Sequence, residues 1–133
     1  MLRVLVAMNP TPEAARLLNW AYKWAETAKD QVRITVIHVV PIRVMGQMGV
    51  EDAMAGRDLE AAQAYLTEVT RNAPVPIEVM VESGDPGPVI CEAAKGYDLI
   101  VIGKHERGIS DFLLGSTSTY VVRNAPCPVA LVG

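Results

Sequence analysis

The chain has 133 residues, half of them hydrophobic and 20% charged, with a net charge of −3 and a pI near 5.3. That length suits one domain, spanning 1–133, which buries about 68–70% of its unfolded surface and needs no staples. The composition excludes disorder, and the mild acidity argues against a phosphate-backbone footprint, so no nucleic-acid partner is expected and any anion site has to be local. The apolar runs at 2–7 and 99–102 are too short for a signal core or a membrane span. A cytoplasmic chain with no membrane partner is therefore expected. Cys91 and Cys127 lack CxxC or metal-type spacing and read as reduced, core-like thiols.

Leu2–Ala7 is a nearly continuous apolar run, the pattern of a strand covered on both faces. Glu13–Lys29 follows with helical spacing of Leu17, Ala21, Trp24, Ala25 and Ala28, with Thr11 as N-cap and Pro12 at the first helical position. Trp20 and Trp24 stand four apart and read as packing residues rather than a base-stacking platform. Val32–Val40 is the second strand, and His38 within it reads as a structural histidine. Residues 41–55 lack a period and contain Met45, Met48 and Met54, so they read as a long mobile connection. Gly56–Asn72 is a second amphipathic helix, broken by Pro74 and Pro76. Ile77–Val81 is the third strand, Ser83-Gly84-Asp85-Pro86 a turn, and Asp85 the cap of a helix running to Lys95. Asp98–Ile102, Ser116–Arg123 and Pro128–Val132 complete the series as strand, helix and strand.

Five strands separated by helical connections imply βαβ units. Right-handed crossovers then give a doubly wound α/β fold, an open parallel sheet with helices on both faces. Ligands in such sheets bind beyond the carboxyl ends of strands where the winding reverses. Those ends are Met8-Asn9, Val39-Val40, Ser83-Gly84 and Gly103. If strands 1 and 4 are neighbours, Asn9 and Gly103 flank the crevice. Gly115-Ser116-Thr117 opens the last helix, whose leading N–H groups and dipole favour an anion by about 0.3–1 kcal/mol. Capping by Ser116 alone is the competing reading.

The segments LRVLVAMNPTPEAARLLNWA, VIHVV, VESGDPGPVICEAAKGYDLIVIG and LLGSTSTYVVRNAPCPVALV resemble the universal stress protein family over nearly the whole length. The resemblance implies strand order 3-2-1-4-5, an adenine nucleotide alpha hydrolase-like fold, and a homodimer formed through the last strand, Val129–Val132. It also implies a stress-response protein that binds an adenine nucleotide, ATP or AMP, with Mg²⁺ or Mn²⁺. The site it implies comprises Asn9, Thr11, Val39, Gly103, Lys104, Gly115, Ser116 and Thr117. Gly103, Gly115, Ser116 and Thr117 would meet phosphates, and Asn9 and Val39 would lie near adenosine.

The chain departs from the motif Gly-x2-Gly-x9-Gly-Ser/Thr of the family's ATP-binding branch. Gly103 and Gly115-Ser116 match, but Glu106 replaces the second glycine and eight residues, not nine, separate it from Gly115. Asn9 replaces the family's Asp, Pro10 stands where a glycine is usual, and Thr11 retains a hydroxyl. A carboxylate at 106 aimed at phosphate would cost about 4 kcal/mol at ~4 Å and an effective dielectric of 20. Lys104, His105 and Arg107 surround it, and Gly108 can supply flexibility. These departures support an alternative, a dimeric interaction protein with a degenerate ATP site. No enzyme is expected, although slow ATP hydrolysis stays open. No nucleophile has an evident base, GKHERG lacks the Walker Gly-Lys-Ser/Thr, and no His/Cys/carboxylate cluster suggests a metal.

Overall fold

The computed structural model describes residues 1–12, 14–41, 48–104 and 115–133, with residues 48–57 described by backbone alone. The elements alternate as β1 (Leu2–Ala7), α1 (Ala14–Thr27), β2 (Val32–Pro41), α2 (Met48–Val69), β3 (Ile77–Gly84), α3 (Pro86–Ala93), β4 (Leu99–Gly103), α4 (Ser116–Asn124) and β5 (Val129–Val132). The five strands form one sheet in the order β3-β2-β1-β4-β5, and every neighbouring pair is parallel. β1 pairs with β2 from Leu2↔Val32 to Ala7↔Ile37 and with β4 from Val4↔Leu99 to Ala7↔Ile102. The winding therefore reverses on either side of β1, as the resemblance implied.

The apolar runs are continuous because both sheet faces are covered, while the period of two still sorts the side chains. Val4 and Val6 join Ile34, Val36 and Val101 on one face, where α1 contributes Leu17, Leu18 and Ala21 and α2 contributes Leu66. Leu5 and Ala7 join Ile37, Val39, Ile100 and Ile102 on the other, beneath Ile90 and Ala94 of the α3 segment and Val121 of α4. Trp20 and Trp24 are half-buried against the first cluster, which is the packing role their spacing suggested. Cys91 and Cys127 are free and half-buried against the second.

Local boundaries differ from the sequence reading in physically informative ways. The connection expected over 41–55 is overturned for residues 48–55, which form the first turns of α2. Glu51, Met54 and the alanines there are good helix formers, and Glu51 and Asp52 suit a helix N-terminus. Gly49 and Gly56 had concealed this. Met48 and Met54 lie in that helix, whereas Met45 lies outside the described residues. Ser83 and Gly84 were assigned to a turn but pair as strand with Val40 and Pro41. Gly84 takes φ +140°, which a side chain resists. Asp85 occupies the N-cap of α3, yet its side chain makes no capping bond, and α3 ends at Ala93 rather than Lys95. α1 begins at Ala14, later than the Thr11 cap implied. The Ala14 and Ala15 N–H groups donate to the Thr11 and Pro12 carbonyls at 3.0 and 3.2 Å, so the chain enters α1 through a tight turn. Glu13 lies outside the described residues.

α3 and α4 meet closely on the second face. Gly87, second in α3, sits under Tyr120 of α4. A Cβ placed on Gly87 would lie 2.7–2.9 Å from Tyr120 Cδ1, Cγ and Cβ. The absence of a side chain at 87 is what lets α4 approach.

Candidate functional site

A cleft of about 560 Å³ opens at the carboxyl ends of β1, β2, β4 and β5, within the range of small-molecule sites. The sheet order gives it two different sides. On the β2 side its wall is apolar: Ile37, Val39 and Pro41 from β2, with Pro86 and Ile90 from α3. On the β4 side it is bounded by Gly103, by Gly115 to Ser118 at the start of α4, and by Val132. Asn9, Thr11 and Arg16 come from the end of β1 and the start of α1. Among the described residues, no Asp or Glu side chain lines the cleft, and Arg16 is its only charged side chain.

The α4 end is built by backbone geometry. Gly115 is the N-cap in extended conformation, with Ser116 the first helical residue, so Ser116 is not the cap the sequence suggested. The first intrahelical bond runs from the Thr119 N–H to the Gly115 carbonyl at 2.9 Å. The N–H groups of Ser116, Thr117 and Ser118 precede it, so the helix itself offers them no partner. The Gly115 N–H is not free in the same way: it donates to the Lys104 carbonyl at 3.1 Å. Ser118 is buried, and its hydroxyl donates to the Gly103 carbonyl at 2.5 Å, fastening α4 to the end of β4.

Gly103 is open. A Cβ placed there would lie 3.8 Å from the Val132 carbonyl oxygen and 3.9 Å from Leu17 Cδ2, ordinary contact distances. Its backbone has no left-handed φ. Neither conformation nor the described residues around it therefore require glycine at 103, and its missing side chain leaves room in the cleft.

The β1–α1 turn is held by its own backbone. The Thr11 N–H donates to the Asn9 carbonyl at 2.8 Å, and Tyr65 Oη of α2 donates to the Thr11 carbonyl at 3.3 Å. The Asn9 side chain is exposed on the cleft wall. His38 Nδ1 lies 3.1 Å from the Met8 carbonyl, which can only accept, so the ring braces the end of β1 from β2. That is the structural role assigned to it.

Seven of the eight residues expected at the site line the cleft: Asn9, Thr11, Val39, Gly103, Gly115, Ser116 and Thr117. Lys104 does not. Its exposed side chain lies along Gly133, and its main chain bridges the Val132 carbonyl and the Gly115 N–H. Val40, the neighbour of Val39 at the end of β2, is buried and does not line the cleft. Glu106, His105, Arg107 and Gly108 lie outside the described residues. Sequence reasoning missed Arg16 and Ser118. Ser118 had a faint signal, a hydroxyl in the first turn of α4. Arg16 had none, because its place on the wall depends on how α1 lies across β4 and β5. Among the described residues, no group of three or more His, Cys, Asp or Glu is placed to hold a metal ion, and no helix is long and apolar enough to cross a membrane.

Comparison with known proteins gives a consistent picture. The profile of the universal stress protein family matches residues 1–133. A universal stress protein of Thermus aquaticus, described as lying in the QAH/OAS sulfhydrylase 3′ region, is 35% identical over 135 residues, covering 97% of this chain and 96% of the relative. The solved structure of universal stress protein UspA from Lactobacillus plantarum superposes with a TM-score of 0.79 at 25% identity, over 99% of this chain and 97% of that one. A universal stress protein family member from Arabidopsis thaliana, solved with AMP bound, superposes with a TM-score of 0.70 at 21% identity, over 99% and 91%. On the profile match and the Thermus relative, the chain belongs to the universal stress protein family.

Proposed function

We propose that this universal stress protein binds an adenine nucleotide in the cleft at the carboxyl ends of β1 and β4. The observation that carries the reading is the open Gly103 beside the N–H groups of Ser116, Thr117 and Ser118, which have no backbone partner among the described residues. Backbone can approach a phosphate only where no side chain intervenes, and a helix N-terminus supplies donors and a favourable dipole. The apolar wall of Ile37, Val39 and Ile90 suits a purine face, and the exposed Asn9 amide can donate to and accept from ribose or base. The AMP-bound Arabidopsis relative supports the ligand class. Mg²⁺ or Mn²⁺ enters with the nucleotide, held by its phosphates. The protein acts as a cytoplasmic ligand sensor rather than an enzyme. It works as a homodimer, for which the short, half-buried edge strand β5 offers unpaired backbone groups.

Calorimetric titration with ATP, ADP, AMP and cyclic AMP in the presence of Mg²⁺ tests the ligand. Saturable heat is expected with at least one of them, and no heat at millimolar nucleotide sinks the reading. A monomeric mass by light scattering at micromolar concentration counts against the dimer. Phosphate release above background counts against the non-enzymatic role.

One feature favours a second reading, the interaction protein with a degenerate site: Glu106 stands where the motif has glycine, in a loop one residue short. On that reading the unmodified chain binds no nucleotide, and Glu106→Gly with one inserted residue creates binding.

A further inference from the structure

We infer that Cys91 and Cys127 form a redox pair, whose oxidation to a disulfide staples α3 to the turn between α4 and β5.

α3 and α4 each follow one strand and lead into the next parallel one, so both run from the cleft towards the amino ends of the strands. They meet at Gly87, where a Cβ would lie 2.7 Å from Tyr120 Cδ1. Cys91 is four residues on from Gly87, on the same side of α3 and one turn further from the cleft. One turn on from Tyr120 is Asn124, whose side-chain amide donates to the Tyr120 carbonyl at 2.9 Å. α4 stops there with Ala125 as its C-cap, and the chain turns through Pro126 to Cys127. The Ile100 N–H holds that turn against β4, donating to the Pro128 carbonyl at 3.0 Å. Cys127, Val129 and Leu131 pack against the same apolar cluster that Cys91 joins. The Cys127 thiol also feels the charge of Cys91.

These are the two cysteines of the chain, and both are free and half-buried, so each keeps a face that a small oxidant reaches. Glutathione disulfide is a sufficient oxidant. The thiolate of one cysteine attacks a glutathione sulfur, forming a mixed disulfide as the glutathione S–S bond breaks and one glutathione leaves as a thiolate. The thiolate of the other cysteine attacks the protein sulfur of that mixed disulfide and expels the second glutathione. The two protons lost by the cysteines end on the two glutathione thiolates. The pair thus gives up two electrons, and one glutathione disulfide becomes two thiols. Burial pushes both cysteine thiols up, so exchange is slow at neutral pH and quickens as pH rises. The bridge closes a loop that contains β4 and α4, and a cross-link of that span restricts the unfolded chain far more than the folded one. Oxidation therefore stabilises the fold, and the fold favours oxidation by the same factor.

The test is equilibration of the full chain in glutathione redox buffers, folded and in urea, at a dilution that disfavours links between chains. Trypsin cleavage at Arg71, Lys95 and Arg123 puts the two cysteines on separate peptides, so mass spectrometry reads a Cys91–Cys127 bridge directly. The expected result is that bridge, with an equilibrium constant about a hundredfold larger for the folded chain than for the unfolded one. The oxidised form then also unfolds at higher urea than the reduced form. Cys91→Ser and Cys127→Ser each abolish the bridge and leave only glutathione adducts. Glutathione adducts alone on the unmodified folded chain, links between chains, or equal constants for folded and unfolded chain overturn the inference.

Discussion

Replacing Gly87 with alanine tests whether the approach of α3 to α4 sets the geometry of the cleft. In an unobstructed helix the change stabilises by up to about 1 kcal/mol, because glycine loses more backbone entropy on folding. Here the new Cβ would lie 2.7 Å from Tyr120 Cδ1, 2.8 Å from Cγ and 2.9 Å from Cβ. Carbon atoms are comfortable at about 3.5–4.0 Å, so each contact is short by more than half an ångström. Rotation of the Tyr120 ring relieves the first two contacts. It cannot relieve the third, because Tyr120 Cβ is fixed to the α4 backbone, so α4 itself has to move. Overpacking of this kind costs about 1–3 kcal/mol. Set against the helix gain, the net expectation is a destabilisation of about 1–2 kcal/mol. Equilibrium urea unfolding measures it, and a cycle with Tyr120→Gly assigns the cause. Removing the side chain together with its Cβ abolishes all three close contacts, so Gly87→Ala becomes nearly neutral in that background. The coupling should be about 1 kcal/mol, well above the few tenths seen between independent sites. A Gly87→Ala protein as stable as the parent, or a coupling within about 0.3 kcal/mol of zero, refutes the reasoning. Because α4 begins at the cleft, nucleotide affinity should fall along with stability.

Gly103→Ala should separate binding from folding. Among the described residues the added methyl meets nothing closer than 3.8 Å, so the urea midpoint stays near the parent's while nucleotide affinity drops by about tenfold or more, some 1.4 kcal/mol. Unchanged affinity in calorimetry means phosphate does not approach this backbone. Leu66→Ala removes a fully buried side chain between α2 and the sheet and should cost about 2–5 kcal/mol in unfolding free energy. A loss under about 1 kcal/mol means α2 is not held by that contact. Burial pushes the Cys91 thiol up, and burial followed by the charge of Asp98 and the neighbouring Cys91 does the same for Cys127. The folded state holds these protons more tightly than the unfolded chain. The contribution is therefore present below the ordinary thiol range and is lost as pH rises through the folded values. A Cys91→Ala/Cys127→Ala protein should show a smaller alkaline fall in urea midpoint than the parent, and equal falls contradict this.

Sequence alone determined the architecture. Leu2–Ala7 is too uniformly apolar for a surface strand and points to a sheet covered on both faces, and helices between five such strand segments imply parallel crossovers. Both are local patterns, readable because periodicity and turn residues lie within a few positions of one another. The cleft was legible to the same extent: Asn9 and Gly103 were placed by topology, and Gly115, Ser116 and Thr117 by their position at a helix start. Tertiary structure decided what depends on distant partners. Residues 48–55 read as a connection because Gly49 and Gly56 obscure a helical signal that becomes regular only in the context of α2. Ser118 fastens α4 to β4 through a carbonyl fifteen residues away. The Gly115 N–H, free on paper, is engaged by Lys104. Arg16 carries no motif at all, and only the lie of α1 across β4 and β5 brings it to the cleft. Lys104, adjacent to Gly103 in sequence, lies along Gly133 and does not line the cleft. A local pattern specifies which element a residue belongs to, but the packing of elements against one another decides which side chains share a cavity.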